Sequence, residues 1–294
     1  MVSPTIITLS TIPPRFGLLE PTLQSLLDQS LPAQAIELYI PHYYRRFPDW
    51  NGQLPVVPSG ITLRRCAQDM GPATKVLPAS QRYAGQDVDI LFCDDDKLYD
   101  RDWHARLKRA RKAHPGACLV EAGESLPDIA DNERPADRLP RARRWMRKPL
   151  SYRIKRLLSL FTIKSPIYAA SGYVDILNGH GGVMLDPSWI PHQAWDIPDI
   201  LWTVDDPWLS GHLERQNVPI WLVAGVSRMN VSQAGVIDAL HDHVESGHGR
   251  VMADIAAIEY MRRTYGIWQP RGKAVPPATW MSETMRQIAQ RSAA

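Results

Sequence analysis

The sequence predicts an α/β protein with a mostly parallel central sheet that helices flank on both faces. Short apolar runs of strand composition alternate with helical patterns through the first half of the 294-residue chain, an order typical of parallel sheets. The run at 90–93 is continuously apolar, as expected for a strand buried on both faces. The carboxylates of Asp94, Asp95 and Asp96 follow it directly. Open sheets bind ligands beyond the carboxyl ends of their strands, so we expect the site there.

The predicted elements succeed one another in a regular order. A strand at 5–9 precedes a helix at 18–29, which carries a leucine stripe, and strands follow at 36–40 and 61–65. The acid-tipped strand at 89–93 leads to a helix at 100–114 and a strand at 117–121. In the second half, a glycine-rich bend at 178–182 precedes a strand at 183–185, a helix at 203–214 and a strand at 219–223.

Composition and charge exclude several classes of protein. The formal charge of +3 is too small to indicate a nucleic-acid-binding protein. Cys66, Cys93 and Cys118 lie far apart beside apolar runs, which predicts reduced core thiols rather than disulfides. Neither a signal peptide nor a membrane-spanning apolar run is recognisable, so we expect a cytoplasmic location.

The segment 141–164 has an unusual charge pattern, with nine basic side chains and no acidic one. Trp145, Leu157, Leu158 and Phe161 are interleaved among them. Such a basic amphipathic stretch can lie on anionic lipid, which would place the protein peripherally at the inner face of a membrane. The same pattern also fits short cationic helices that pack an apolar stripe on the protein core. The sequence leaves both interpretations open.

The three consecutive acids predict a divalent-cation site. Three carboxylates at one strand end repel one another unless positive charge lies beside them, and Mg²⁺ or Mn²⁺ prefers oxygen ligands. Asp is also favoured in solvated loops and at helix N-termini. Either of these structural roles is the alternative, because the helix at 100–114 begins shortly afterwards.

Four spaced motifs carry a resemblance to a known family. They are Thr-Leu-Ser-Thr-Ile-Pro-Pro-Arg at 8–15, Asp-Met-Gly-Pro-Ala-Thr-Lys at 69–75, the three acids at 94–96, and Asp-Asp at 205–206. Together they resemble nucleotide-sugar-dependent glycosyltransferases of the GT-A type, especially bacterial enzymes allied to glycosyltransferase family 2, over most of residues 4–245. The resemblance implies a GT-A (Rossmann-like) fold with a small antiparallel sheet on the acceptor side. It also implies sugar transfer from a nucleotide-diphosphate sugar, foremost a UDP-sugar, to a hydroxyl of a glycan or lipid-linked glycan.

The resemblance assigns donor-side roles to the first three motifs. In the family the last acid of the motif ligates a metal, Mn²⁺ or Mg²⁺, that stabilises the diphosphate leaving group, and the first acid faces the ribose. Asp96 is therefore the expected metal ligand. Asp94 is the expected contact on the sugar side and the second candidate metal ligand. The resemblance leaves open which of these two roles Asp95 has. The nucleotide sugar is further surrounded by Thr8, Ser10, Thr11 and Arg15, with Asp69 near the base and Lys75 directed to the diphosphate.

The acceptor side is expected to centre on Asp205 and Asp206. The resemblance makes Asp206 the general base of an inverting transfer, although Asp205 stands where the family commonly carries Glu. Acids at a helix N-terminus are also favoured by the helix dipole, so helix capping is the alternative. Trp202 and Trp208 flank the pair as an aromatic wall for a sugar face. His180 and Gly181, in the glycine-rich bend, are expected to line the acceptor side.

A histidine near the C-terminus is a further candidate metal ligand. Many enzymes of this fold complete the metal site from a C-terminal loop, and His241 or His243 could do so here. The spacing does not choose between them, and a polar surface loop is the alternative interpretation.

We expect one GT-A-type catalytic domain at 1–270 and a C-terminal extension at 271–294. Within the domain, 1–125 would bind the nucleotide sugar, 126–166 would be the basic insertion and 167–270 would bind the acceptor. The rival functions are a metal-dependent phosphohydrolase, a nucleotidyltransferase, and a non-enzymatic membrane- or calcium-binding module. The first strand is followed by Ile-Pro-Pro-Arg at 12–15 rather than a glycine-rich phosphate loop, which favours the transferase over the nucleotidyltransferase.

Overall fold

The computed structural model describes residues 3–145, 166–226, 229–237 and 250–269. The helices in these ranges are α1 (Glu20–Leu27), α2 (Leu77–Arg82), α3 (Trp103–Ala113), α4 (Asp206–Arg215) and α5 (Arg250–Tyr265). The strands are β1 (Thr5–Ser10), β2 (Ala35–Pro41), β3 (Ile61–Cys66), β4 (Asp89–Phe92), β5 (Lys97–Leu98), β6 (Cys118–Val120), β7 (Gly123–Glu124), β8 (Arg143–Arg144), β9 (Tyr168–Ala170), β10 (Gly172–Val174), β11 (Ile176–Leu177), β12 (Val183–Leu185), β13 (Ile220–Leu222) and β14 (Asn230–Val231).

The described strands form an eight-stranded central sheet in the order β3-β2-β1-β4-β12-β6-β13-β10. Strands β1 to β4 run parallel to one another, and β12 is antiparallel to both of its neighbours, β4 and β6. Because β13 is parallel to β6 and antiparallel to β10, six of the eight strands share one direction. Three two-stranded antiparallel sheets, β11–β7, β14–β5 and β8–β9, accompany it. The predicted α/β class with a mostly parallel sheet and small antiparallel sheets, the architecture expected of GT-A proteins, is confirmed.

Helices cover both faces of the sheet, as the continuous apolar strands predicted. On β4, Ile90 and Phe92 point to the face that α2 and α4 cover. Leu91 on the same strand points to the opposite face and packs with side chains of α1 and α3. All three side chains are fully buried, and each such burial contributes about 1.5–3 kcal/mol. This two-sided packing fixes the position of the acids that follow β4.

All three predicted helices begin later than the sequence indicated. The helix expected at 18–29 starts at Glu20, the helix expected at 100–114 starts at Trp103, and the helix expected at 203–214 starts at Asp206. The cysteines are free: Cys93 and Cys118 are buried in the core, and Cys66 is half-buried.

Several predictions concern residues outside the described part of the chain. Most of the basic segment, from 146 onwards, lies outside it, as do His241, His243 and the proposed extension at 271–294. The membrane contact of the basic segment therefore stays a prediction. Among the residues that the structure does describe, no helix combines the length and apolar character needed to cross a membrane.

Helix α4 packs against α5 and carries a fully buried histidine, His212. Burial, together with the charge of Arg215, lowers the pKa of His212 to about 3. Arg215 donates a hydrogen bond to His212 Nδ1 at 3.0 Å, whereas Nε2 has no hydrogen-bond partner within the described ranges. The folded protein therefore holds this imidazole in its neutral form.

We expect His212 to make the fold sensitive to acid. Its pKa falls from about 6.5 in the unfolded chain to about 3 in the folded protein. The stabilisation is thus complete above pH ~6.5 and is lost as the pH falls, by about 1.4 kcal/mol per pH unit. Urea unfolding of His212→Phe between pH 7.5 and pH 4.5 should show a shallower loss of stability than the wild type. His192→Phe, at an exposed position, is the control, and an equal slope in all three proteins would contradict the prediction.

Candidate functional site

A cavity of about 500 Å³ opens at the carboxyl ends of β1, β2 and β4. The segments that follow these three strands form one side, and the chain around 178–180 and 202–206 forms the other. Its walls contain six carboxylates and four basic side chains, a formal charge of −2. The lining residues are Ser10, Thr11, Ile12, Arg15, Pro41, Tyr44, Arg46, Phe47, Asp69, Gly71, Pro72, Thr74, Lys75, Asp94, Asp95, Asp96, Lys97, Asn178, His180, Trp202, Asp205 and Asp206.

The three acids after β4 each meet a cation of the protein itself. Asp94 Oδ1 lies 2.7 Å from Lys75 Nζ, and Asp96 Oδ1 lies 2.7 Å from Lys97 Nζ. Asp95 is paired with Arg15. The expectation that positive charge must lie beside these acids is thus met by basic side chains of the protein.

Asp95 is the most enclosed of the three acids and has a structural partnership. Its Oδ1 accepts a hydrogen bond from Arg15 Nη1 at 2.6 Å, and its Oδ2 accepts one from Thr11 Oγ1 at 2.5 Å. Burial raises the pKa of Asp95, and Arg15 opposes this effect. Both oxygens of its carboxylate therefore bind the turn after β1, and Asp94 and Asp96 are the more exposed acids of the motif.

Asp94 and Asp205 share one buried cation. Lys75 Nζ lies 2.7 Å from Asp94 Oδ1 and 2.8 Å from Asp205 Oδ2. Burial raises the pKa of Asp94, but the charge and hydrogen bond of Lys75 outweigh burial and hold this pKa well below its ordinary value. The family resemblance implied that Lys75 is directed to a diphosphate, whereas in the structure its ammonium group lies between two carboxylates.

The acidic pair at the start of α4 does not cap the helix with the Asp205 side chain. Asp205 occupies the N-cap position, but its carboxylate accepts no capping hydrogen bond and contacts Lys75 instead. Asp206 Oδ1 accepts a hydrogen bond at 2.9 Å from the backbone N–H of Gly179, in the glycine-rich bend. Both acids line the cavity, which favours the functional interpretation over simple capping.

His180 lies in the same bend and lines the cavity. Burial lowers the pKa of His180, while the nearby charge of Asp94 raises it less strongly. The imidazole is therefore neutral at pH 7 and can accept or donate a hydrogen bond without adding charge to the cavity.

An aromatic and basic part of the cavity lining was not predicted from the sequence. Tyr44, Arg46 and Phe47, in the segment after β2, line it. The Tyr44 hydroxyl donates a hydrogen bond to the Thr11 carbonyl at 2.8 Å, and Tyr44 packs edge-on against Phe47 with ring centroids 6.1 Å apart. The signal that could have found this segment is its place after the carboxyl end of a strand, the rule already applied to β1 and β4.

Asp69 and Trp202 lie together on the cavity wall. Asp69 accepts hydrogen bonds from the backbone N–H groups of Arg45 and Gly71, at 2.8 and 2.9 Å. Burial raises the pKa of Asp69, and these hydrogen bonds oppose that effect. The Trp202 Nε1–H donates to the Asp69 carbonyl at 3.1 Å. Gly71 has a φ of +58°, and a Cβ there would lie 2.5 Å from the Trp202 carbonyl oxygen, so this close approach requires glycine.

Three predicted site residues lie outside the cavity lining. Thr8 is fully buried on β1, and its hydroxyl donates to the Lys75 carbonyl at 2.7 Å, so it positions Lys75 and does not contact a nucleoside. Gly181 is buried because its backbone packs against Ala122. Trp208 is also fully buried, and its indole N–H donates into the core at 2.8 Å. The predictions that Gly181 and Trp208 face an acceptor are therefore wrong.

The residues at the cavity fit a divalent cation only in part. Asp94 and Asp96 offer the oxygen ligands that Mg²⁺ and Mn²⁺ prefer, and their side chains are 30% and 15% exposed. Within the described ranges no cluster of three or more His, Cys, Asp or Glu side chains could hold a metal. A cation here would thus take two carboxylates and complete its shell with phosphate oxygens and water, the usual arrangement for Mg²⁺ with a phosphate ligand.

A short C-terminal segment, 229–237, lies across the acid motif. Its strand β14 pairs with β5, and the Ser232 N–H donates to the Asp96 carbonyl at 2.9 Å. Arg15 Nε donates to the Ile237 carbonyl at 2.9 Å. The described segment thus ends beside the site, four residues before His241 in the sequence.

Comparison with known proteins gives only distant likenesses of fold. No protein-family profile matches the chain, and no curated protein does. One similar solved structure is GalNAc-T7 crystallised with UDP, GalNAc and Mn²⁺, at 12% identity and a TM-score of 0.47, over 99% of this chain and 55% of that one. Another is the 2-C-methyl-D-erythritol 4-phosphate cytidylyltransferase IspD of Francisella tularensis, at 14% identity and a TM-score of 0.41, over 77% and 93%. The chain spans about half the length of the GalNAc-T7 structure. Likenesses of this size assign no activity.

Proposed function

We propose that this protein is a metal-dependent glycosyltransferase that moves a sugar from a nucleotide-diphosphate sugar to a hydroxyl acceptor. The observation that carries the proposal is one cavity whose lining combines two kinds of chemistry. Aromatic and basic side chains of the segment after β2 line it together with two acid pairs, Asp94 with Asp96 and Asp205 with Asp206. A nucleoside can pack on the aromatic side chains, while a cation with its diphosphate and an acceptor hydroxyl need the acids.

The charge of the cavity supports a cation together with a nucleotide. Its formal charge of −2 repels a diphosphate by itself, and a single divalent cation would neutralise it. In this proposal Asp96 and Asp94 hold the cation, which supplies electrostatic stabilisation to the departing diphosphate. The chain beyond Ile237, with His241 and His243, starts close enough to contribute a further ligand. The UDP-sugar donor and the glycan or lipid-linked acceptor are proposals as well.

Asp206 is proposed as the general base of an inverting transfer. The Gly179 N–H fixes one of its oxygens at 2.9 Å, and its place in the first turn of α4 favours the ionised carboxylate. A base held in one orientation and kept ionised can take the proton of an acceptor hydroxyl as the new bond forms. His180 and Trp202 would line the adjoining acceptor surface.

The proposal is tested by calorimetry followed by product analysis. UDP, GDP and CDP are titrated with and without Mn²⁺, and EDTA is the control. We expect Mn²⁺-dependent binding of one of them, and release of the nucleoside diphosphate from the matching nucleotide sugar. Release of pyrophosphate from a nucleoside triphosphate and a sugar phosphate would instead indicate a nucleotidyltransferase. Release of inorganic phosphate would indicate a phosphohydrolase, and no nucleotide binding would contradict the proposal.

A further inference from the structure

Lys75 connects the two acidic groups of the cavity. It ends the short helical turn Gly71–Lys75, and its side chain is only 6% exposed. Its ammonium group lies 2.7 Å from Asp94, at the end of β4, and 2.8 Å from Asp205, before α4. One buried cation thus joins the acid on the proposed donor side to the acidic pair on the proposed acceptor side.

The surroundings of Lys75 enclose its ammonium group. A Cβ at Gly179 would lie 2.6 Å from Nζ, so the backbone of the glycine-rich bend passes directly over it. The same glycine donates its N–H to Asp206 Oδ1. An ammonium group has three N–H donors, and two of those on Lys75 already face the carboxylates of Asp94 and Asp205. Only one donor is left for a phosphate, and the two carboxylates largely neutralise the charge.

The charges of this cluster depend on one another. Burial lowers the pKa of Lys75, but the carboxylates of Asp205, Asp94 and Asp206 outweigh burial and hold the pKa above its ordinary value. Asp205 is 2% exposed and Asp206 is 6% exposed. Carboxylates at this depth are costly to keep ionised without a cation beside them.

We propose that Lys75 is a positioning residue that holds Asp94 and the Asp205–Asp206 pair at a fixed separation, and that it is not a diphosphate ligand. The role in transfer rests on the function proposed above. The ion cluster itself does not, so it can be tested in the protein without any substrate.

The first experiment follows urea unfolding of Lys75→Met at pH ~7.5. Loss of one member of a buried ion pair is strongly destabilising, because it leaves the other charge without a partner. We expect the unfolding equilibrium constant of Lys75→Met to exceed that of the wild type at least tenfold. Lys75→Met/Asp205→Asn should recover most of this loss. Lys97→Met is the matched control and should lose less stability, because its partner Asp96 is more exposed than Asp205. An equal loss in Lys75→Met and in Lys75→Met/Asp205→Asn would overturn the proposal.

The second experiment separates positioning from phosphate binding. We expect Lys75→Met to bind UDP with Mn²⁺ within about threefold of the wild-type Kd, while kcat falls at least 100-fold. A Kd that is weaker by tenfold or more would show that Lys75 is a diphosphate ligand. If Lys75→Met does not fold, the double variant Lys75→Met/Asp205→Asn takes its place with the same Kd criterion. If the wild type binds no nucleotide, the proposed function fails, while the unfolding comparison still decides whether the ion cluster exists.

Discussion

Replacement of Asp206 by Asn is expected to lower the rate of sugar transfer by about 10²–10⁴-fold, the usual contribution of general-base catalysis. Asparagine is nearly isosteric with aspartate, and its amide oxygen can still accept the hydrogen bond from Gly179, which is 2.9 Å long in the wild type. The bend at 178–182 should therefore keep its position. The amide cannot take a proton from an acceptor hydroxyl, so the chemical step alone is impaired.

The measurement is kcat with a saturating donor, together with the Kd of the nucleotide in the presence of Mn²⁺. We expect kcat to fall and Kd to stay unchanged. Asp102→Asn is the matched control, because Asp102 holds the N-cap position of α3 outside the cavity. A parallel loss of nucleotide affinity in Asp206→Asn would assign Asp206 to the donor site instead.

Replacement of Asp96 by Ala should abolish the dependence of nucleotide binding on Mn²⁺. Removal of a group that only orients a metal ligand already costs about 10–100-fold in metal affinity, so loss of a ligand itself should cost at least as much. Lys97, whose ammonium group lies 2.7 Å from the Asp96 carboxylate, would also be freed to attract the diphosphate directly. We therefore expect weak binding that is the same with Mn²⁺ and with EDTA.

Calorimetry with UDP in Mn²⁺ and in EDTA checks this result. Asp100→Asn serves as the control, since Asp100 follows the same strand but lies outside the cavity and pairs with Arg106. Its binding should keep the Mn²⁺ dependence of the wild type. Retention of that dependence in Asp96→Ala would show that the cation is held elsewhere.

The sheet was predictable because its strands are buried on both faces. A run such as 90–93 has few alternatives to a central strand, and the carboxyl-end rule then placed Asp94 and Asp96 at a ligand cavity. Strand β10 was missed, because Gly172–Val174 has only three residues and begins with glycine. It is recruited at the sheet edge by pairing with β13.

The site was less predictable, because side-chain direction depends on tertiary packing. Trp208 lies two residues after Asp206, and α4 is buried along most of its length. The sequence of this helix therefore has no clear polar face from which to predict whether Trp202 or Trp208 lines the cavity. Lys75 could be assigned to the site but not to its partners, since Asp94 and Asp205 are far apart in sequence. The segment with Tyr44 and Phe47 carries no motif, and only the fold brings it to the cavity.

The central place of β12 has a consequence for biosynthesis. This strand, Val183–Leu185, inserts between β4 and β6, so the middle of the sheet is empty until residue 185 has left the ribosome. In a nascent chain that ends near residue 125, β4 would have one unpaired edge and β6 would lack both of its partners, β12 and β13. Unpaired strand edges can pair with other chains. We therefore expect the sheet strands of the first half of the chain to stay incompletely paired until β12 has been synthesised. Until then, the nascent chain should require protection from aggregation.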